Sequence, residues 1–141
     1  MLDSVIRSFV GISIISCLLL TSGCDLMVPP WQLSDLKHAA KRPVTCDAGK
    51  DCTEKWARAL QWVKKNSRYP IETKSNDLIK TEGSSSLSPF PAFTNTKVED
   101  NNNIYTIRFE GYCDDSFGCS PPLLELKASF VNFVMGSPKS N

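Results

Sequence analysis

Histidine is almost absent from this chain of 141 residues, which contains His38 alone. A serine or cysteine nucleophile that needs an imidazole base would have to use that one side chain, and we expect it to be solvated because Lys37 and Lys41 flank it. The zinc pattern H-E-x-x-H, the redox spacing C-x-x-C and glycine loops that cradle phosphate are also missing. The sequence therefore predicts no catalytic residue, no metal and no cofactor, and we do not expect an enzyme.

A surplus of either charge is missing as well. The chain has 16 lysines and arginines against 15 aspartates and glutamates, so it lacks the basic excess that marks a nucleic-acid partner. The acid pairs Glu99-Asp100 and Asp114-Asp115 fall in turn-rich stretches, whereas a glycosidase needs two carboxyl groups facing each other across a sugar. We interpret both pairs as solvated charge, and we expect no nucleic-acid partner.

No apolar run is long enough to cross a bilayer. The longest, SFVGISIISCLLL at residues 8–20, has 13 residues, whereas a spanning helix needs about twenty. Arg7 precedes this run and small residues follow it, which is typical of a signal peptide. An uncleaved anchor helix and an ordinary cleaved signal remain as alternatives. Asp25 weighs against the first, because a charge inside a membrane segment is costly.

The residues Thr21-Ser22-Gly23-Cys24 that follow the apolar run resemble the lipobox of bacterial lipoproteins, with Thr21 where leucine is commonest. The resemblance implies cleavage before Cys24, attachment of lipid such as palmitate to its thiol, and a membrane-anchored protein facing the periplasm. More than one acyl chain would make that attachment stable. Asp25, directly after the cysteine, resembles an inner-membrane retention signal, so the resemblance favours the inner membrane over the outer.

The sequence divides into four expected segments: a signal peptide at 1–23, a lipid-anchored tether at 24–45, a globular domain at 46–136 and a flexible tail at 137–141. Within the tether, Ser34 can cap a short helix over residues 35–41. The domain is long enough to bury a core of its own.

Four cysteines of the domain form two stretches of the same length, CDAGKDC and CDDSFGC. The periplasm is oxidising, so we expect disulfides, and we favour the local pairs Cys46–Cys52 and Cys113–Cys119. Crossed pairings, which would close much longer loops, stay open. A zinc site is the chemical alternative, but paired zinc ligands usually have two to four residues between them, and these pairs have five.

The segment DCTEKWARALQWVKKNS has the clearest helical pattern. Trp56, Ala59 and Val63 recur at helical spacing and predict one apolar face, while Trp62 falls outside it and is expected at the edge of the core. Asp51 and Glu54 resemble a capping box at the start.

Strand-like segments follow this helix. RYPIET and DLIKTE flank the turn KSN, and FTNTKVE and IYTIRFEGYC flank DNNN, so we expect two hairpins. The segment SPPLLELKASFVNFVMG predicts a closing helix capped by Ser120 and ended by Gly136, although its alternation leaves a strand open. The expected fold is α+β: a disulfide-clipped antiparallel sheet of about four strands with two helices packed on one side.

The features left for function are on loops. Leu87, Phe90 and Phe93 lie in a serine- and proline-rich stretch, and Phe117 lies inside the second cysteine pair. Apolar loop residues either pack onto the core or form a contact patch. We therefore expect a non-catalytic binding or scaffolding module for another cell-envelope protein, with an inhibitor or immunity protein that blocks a toxin or hydrolase as the alternative. The oligomeric state is not predicted.

Overall fold

The computed structural model describes residues 29–136, which form three helices and five strands. The elements in chain order are α1 (Pro30–Lys41), β1 (Thr45–Asp47), α2 (Lys50–Asn66), β2 (Ile71–Lys74), β3 (Leu78–Thr81), β4 (Ala92–Asn101), β5 (Ile104–Tyr112) and α3 (Leu123–Met135). The predicted α+β class is confirmed. The sheet has five strands instead of about four. The strand that the prediction missed is β1, whose three residues are too few to show an alternating pattern.

The strands form one antiparallel sheet in the order β1-β5-β4-β3-β2. Both predicted hairpins are present, as β2–β3 and β4–β5. Asn102 and Asn103 turn the second hairpin with φ angles of 56° and 63°, the left-handed pair that a tight two-residue turn requires and asparagine tolerates. Apolar and polar residues alternate along the sequence of β5, which predicts one buried face. Ile107 and Phe109 are accordingly buried beneath the helices while Arg108 and Glu110 are exposed.

The start of α2 differs from the predicted capping box. Gly49 precedes the helix and no side chain caps it. The Asp51 carboxylate instead accepts hydrogen bonds from Lys55 Nζ at 2.9 Å and from the Asp47 N–H at 3.1 Å, and these two donors hold the pKa of Asp51 below its usual value. Asp51 therefore ties the helix to β1 rather than to its own first turn.

Trp62, not Trp56, is the centre of the core. Trp62 is only 2 % exposed, whereas Trp56 is half-buried. The difference arises because α3 packs beside α2 and covers a further part of its surface. Trp62 lies in that part, although the apolar periodicity of α2 alone places it at the edge of the buried face. The Trp62 ring meets the rings of Phe93, Phe109 and Phe130 edge-on, with centroids 5.2, 5.5 and 5.4 Å away.

The closing segment is a helix, so the strand alternative is excluded. The predicted Ser120 cap is wrong, because α3 begins only after Pro122 and no side chain caps it. Gly136 ends α3 as predicted, with a φ of 71° that glycine adopts without strain. Phe130 and Val134 are fully buried against α2 and the sheet.

The segment expected to be mostly tether contains α1, a longer helix than the one expected at 35–41. It packs along α3 and buries Ala40, so residues 30–41 belong to the folded region, although the sequence predicts that this region begins at residue 46. Apolar side chains in this segment are sparse, which is why sequence patterning places the boundary too late. Cys24, Asp25, the expected signal peptide at 1–23 and the expected tail at 137–141 lie outside the described residues.

Both local disulfides are confirmed, and the crossed pairings and the zinc alternative are thereby excluded. Cys46 and Cys52 lie with their Cα atoms 4.9 Å apart, and Cys113 and Cys119 with theirs 5.7 Å apart. The first pair is buried and joins β1 to α2. Among residues 29–136, no helix has the length and apolarity needed to span a bilayer.

Candidate docking surface

Two loops lie side by side at one end of the sheet. The serine loop (83–91) connects β3 to β4, and the clip loop (113–119) follows β5. Two hydrogen bonds join them: the N–H of Ser120, the residue directly after the clip loop, donates to the Pro89 carbonyl at 2.8 Å, and the Asp114 N–H donates to Ser84 Oγ at 3.3 Å. The two loops therefore form one surface, which we call the two-loop platform.

The clip loop holds an aromatic ring entirely in solvent. The disulfide Cys113–Cys119 closes the loop, and inside it the Phe117 N–H donates to Asp115 Oδ1 at 2.8 Å. The Gly118 N–H donates to the Asp115 carbonyl at 3.1 Å, with glycine at a φ of 91°. Phe117 is 100 % exposed, so the backbone of the loop is ordered by covalent and polar bonds while its largest apolar side chain packs against none of residues 29–136.

The serine loop presents a second exposed apolar side chain. Leu87 is 79 % exposed and has a φ of 62°, a left-handed conformation that costs a residue with a Cβ about 1–2 kcal/mol. A turn closed by the Ser88 N–H on the Ser85 carbonyl at 3.0 Å holds it there. Strained backbone of this kind persists where surrounding contacts impose it, and such positions cluster at binding sites.

Arg68 and Tyr69, at the entry to β2, support the serine loop from beneath. The Tyr69 hydroxyl donates to Ser88 Oγ at 2.6 Å and accepts from the Ser85 N–H at 3.3 Å. The Arg68 guanidinium lies over the Phe90 ring, 4.8 Å from its centroid, a cation–π contact. Neither residue was predicted from the sequence. The residues around them carry no pattern that predicts contact with a loop whose contacting residues lie 15 or more positions away.

Three of the four residues predicted for partner contact lie on the platform. Leu87 and Phe117 are strongly exposed, and Phe90 is 37 % exposed beneath Arg68. Phe93 does not belong to this surface: it is the second residue of β4, 1 % exposed, and packs against Trp62. The correction follows from strand alternation, because β4 begins at Ala92 and its next side chain points to the helices.

The serine hydroxyls also change the acidity of Tyr69. Hydrogen bonds from Ser84, Ser88 and Ser85 stabilise the phenolate and lower the pKa of Tyr69 from 10 to about 8. Since the unfolded phenol keeps the higher value, the unfolded state binds more protons between these two pKa values. The contribution of Tyr69 to stability is therefore complete above pH 10 and is lost as the pH falls through about 8.

We expect one of the three tyrosines to ionise near pH 8 in the native protein. The near-ultraviolet absorbance of phenolate, followed across a pH titration, measures this step. Tyr69→Phe should remove it, and Tyr112→Phe, at a side chain that is 62 % exposed, should leave it in place. A Tyr69→Phe protein that still ionised one phenol near pH 8 would contradict the assignment.

A separate cleft of about 550 Å³ lies between the end of α1, β5 and α3. Its charged lining residues include Arg42, Arg108, Glu110 and Lys127, and Thr106 is the one hydroxyl among the described residues that line it. Across residues 29–136, no three histidine, cysteine, aspartate or glutamate side chains are grouped as metal ligands. His38, the sole histidine, is exposed on α1.

Comparisons with protein-family models, with curated proteins and with solved structures found no match to this chain. The fold and the surface define its class: a small α+β domain with two local disulfides and an ordered loop pair that exposes apolar side chains.

Proposed function

We propose that this chain is a lipid-anchored cell-envelope protein whose domain docks, without catalysis, onto another envelope protein through the two-loop platform. The observation that carries the proposal is Phe117, which is fully exposed on a loop closed by a disulfide. Aromatic side chains are enriched among the few residues that supply most binding energy at protein interfaces. A loop that is ordered before binding also loses less conformational entropy when the partner arrives.

The anchor is the second part of the proposal. Lipid on Cys24 would hold the domain at the periplasmic face of the membrane, and Asp25 favours the inner membrane. The two disulfides support an oxidising compartment, because such bonds rarely persist in the cytosol.

Replacing Cys24 with serine should abolish incorporation of labelled palmitate and make the protein removable from the membrane fraction by a high-salt wash, because the thiol that carries the lipid is gone and a surface contact without lipid is weakened by salt. Cys17→Ser is the matched control, since Cys17 lies inside the apolar run of the signal peptide and should change neither result. A Cys24→Ser protein that stayed in the membrane fraction and still took up palmitate would show that the anchor lies elsewhere.

Docking is tested by placing a photo-crosslinking amino acid at residue 117 of the full-length protein in intact cells. We expect a discrete adduct with one envelope protein, because this ring is the most exposed apolar group of the platform. The same group at Asn102, in the exposed turn between β4 and β5, is the matched control and should give no such adduct. Adducts of equal yield from both positions, or from neither, would contradict docking through the platform.

An inhibitor of a toxin or hydrolase is the second candidate, and the acids beside Phe117 favour it. Asp114 is exposed and Asp115 half-buried in the clip loop, so the loop offers negative charge next to an apolar side chain, as insertion into a basic cleft would require. If the crosslinked partner is a hydrolase, an equimolar amount of this protein should suppress its activity, and Asp114→Asn should weaken the suppression. A partner whose activity this protein leaves unchanged favours docking instead.

A further inference from the structure

Helix α1 has a covered side and an uncovered side. Leu36, Ala39 and Ala40 are half-buried or buried where α1 packs along α3. Because an α-helix has 3.6 residues per turn, five other residues of α1 lie on the opposite side, and all five are exposed. The set, which we call the Trp31 face, consists of Trp31, Ser34, Lys37, His38 and Lys41.

The chemistry of the Trp31 face is that of a membrane interface. Trp31 is 69 % exposed, although tryptophan is usually well buried in a soluble fold. Two lysines share the face, while Asp35 is the one acid of the helix. Tryptophan rings concentrate at the headgroup level of bilayers, and clustered lysines and arginines near a bilayer bind anionic lipids.

A shallow groove on this face offers a place for a headgroup. It has a volume of about 290 Å³ and lies among Leu33, Ser34, Lys37 and Lys41. An ammonium group from each lysine and the Ser34 hydroxyl can all donate to the same anionic oxygen cluster. The helix thus combines an apolar ring for the interface with several donors for phosphate.

The position of α1 in the chain brings this face close to the bilayer. Only residues 25–29 separate Cys24 from the first helical residue, so six Cα–Cα steps, at most about 22 Å, join Cys24 to Pro30. If lipid is attached to Cys24, as the proposed function requires, that distance keeps α1 within reach of the headgroups. Electrostatic attraction to lipid acts over about 8 to 10 Å at physiological salt, and a tether this short lets the helix enter that range.

We propose that the Trp31 face lies against the membrane surface, with Trp31 in the interface and Lys37 and Lys41 on the phosphates of anionic lipids. The acyl anchor then sets the distance of the domain from the bilayer, and this face sets its orientation. An anchor alone permits free rotation about the tether, whereas a second contact fixes which side of the domain turns towards the periplasm.

The test uses the mature chain with Cys24→Ser, so that no acyl chain contributes, and two kinds of vesicle. We expect binding to vesicles that contain phosphatidylglycerol to be about tenfold or more tighter than to phosphatidylcholine alone, and to weaken as salt is raised. The fluorescence of Trp31 should shift to shorter wavelength on binding, and Trp31→Phe should remove that shift.

The matched charge variants decide whether this face is responsible. Lys37→Glu with Lys41→Glu should weaken binding to the anionic vesicles about tenfold or more. Lys64→Glu with Lys65→Glu, an equal change of charge at the exposed end of α2, should leave it unchanged. Thermal unfolding of both double variants checks that each is folded.

Equal effects of the two double variants, equal binding to both kinds of vesicle, or no binding to either would overturn the inference. Because these measurements use an unlipidated chain, their result does not depend on palmitate attachment. Conversely, a failure of palmitate labelling at Cys24 would contradict the anchor while leaving the vesicle result as it stands.

Discussion

Trp62→Ala is expected to lower the free energy of unfolding by about 3–5 kcal/mol, the usual cost of emptying a large aromatic site in a core. The side chain is 2 % exposed and meets three phenylalanine rings edge-on. Its indole N–H donates to Ser129 Oγ at 3.1 Å, so truncation also removes a link between α2 and α3. Urea denaturation with the disulfides intact measures the loss.

Trp56→Ala is the matched control for this prediction. Trp56 is half-buried on the same helix, and its indole N–H donates to the Ser75 carbonyl at 3.1 Å. We expect a smaller loss there, because solvent already reaches much of the ring. If Trp56→Ala lowered the free energy of unfolding by as much as Trp62→Ala, or by more, the core would be centred on the apolar face that contains Trp56, as helical periodicity alone predicts.

Asn95→Leu is expected to raise the free energy of unfolding by about 1–3 kcal/mol, the cost of leaving a buried polar group without a partner. Asn95 is fully buried in the middle of β4, opposite Ile79 and Phe109 in the neighbouring strands. Neither Nδ2 nor Oδ1 of its amide has a hydrogen-bond partner among the described residues. Leucine branches at Cγ as asparagine does and needs no partner, so the substitution removes the penalty without opening a cavity, while the larger volume of leucine offsets part of the gain.

Asn95→Asp is the companion to this prediction. It keeps the shape of the side chain but buries an unpaired charge, so we expect a large loss of stability at neutral pH that shrinks as the carboxyl is protonated in acid. Chemical denaturation at several pH values measures both variants. A loss of stability in Asn95→Leu would mean that the amide is hydrogen-bonded in solution and helps to hold the sheet together.

Features that are local in sequence were predictable. The disulfides pair within their own stretches because five intervening residues let the chain return on itself, and the structure closes both loops that way. The alternation in β5 and the turn residues around Asn102 and Asn103 predict the long hairpin for the same reason: each depends on residues a few positions apart. The termination of α3 at Gly136 is likewise a local backbone preference.

In the candidate site, too, the features that depend on nearby residues were predictable and those that depend on distant residues were not. That Leu87 and Phe117 lie in loops follows from their glycine-, serine- and proline-rich surroundings. The local sequence does not predict that hydrogen bonds join the two loops into one platform, because Ser84 and Asp114 are 30 positions apart. Tyr69, which holds the serine loop from the connection between α2 and β2, has no sequence pattern of its own that would reveal this role.

By itself, therefore, the sequence determined the α+β class and the two hairpins, and it favoured the closing helix and the local disulfide pairs while an alternative to each stayed open. All of these features depend on contacts within a few residues or on the repeat of one element. Tertiary structure alone decided that Trp62 lies in the core, that Phe93 is buried, that β1 pairs with the sheet and that α1 belongs to the folded region. In each of these cases the deciding neighbour is distant in sequence. The burial of a side chain depends on which elements pack against it, and the periodicity of a single segment carries no information about its partner.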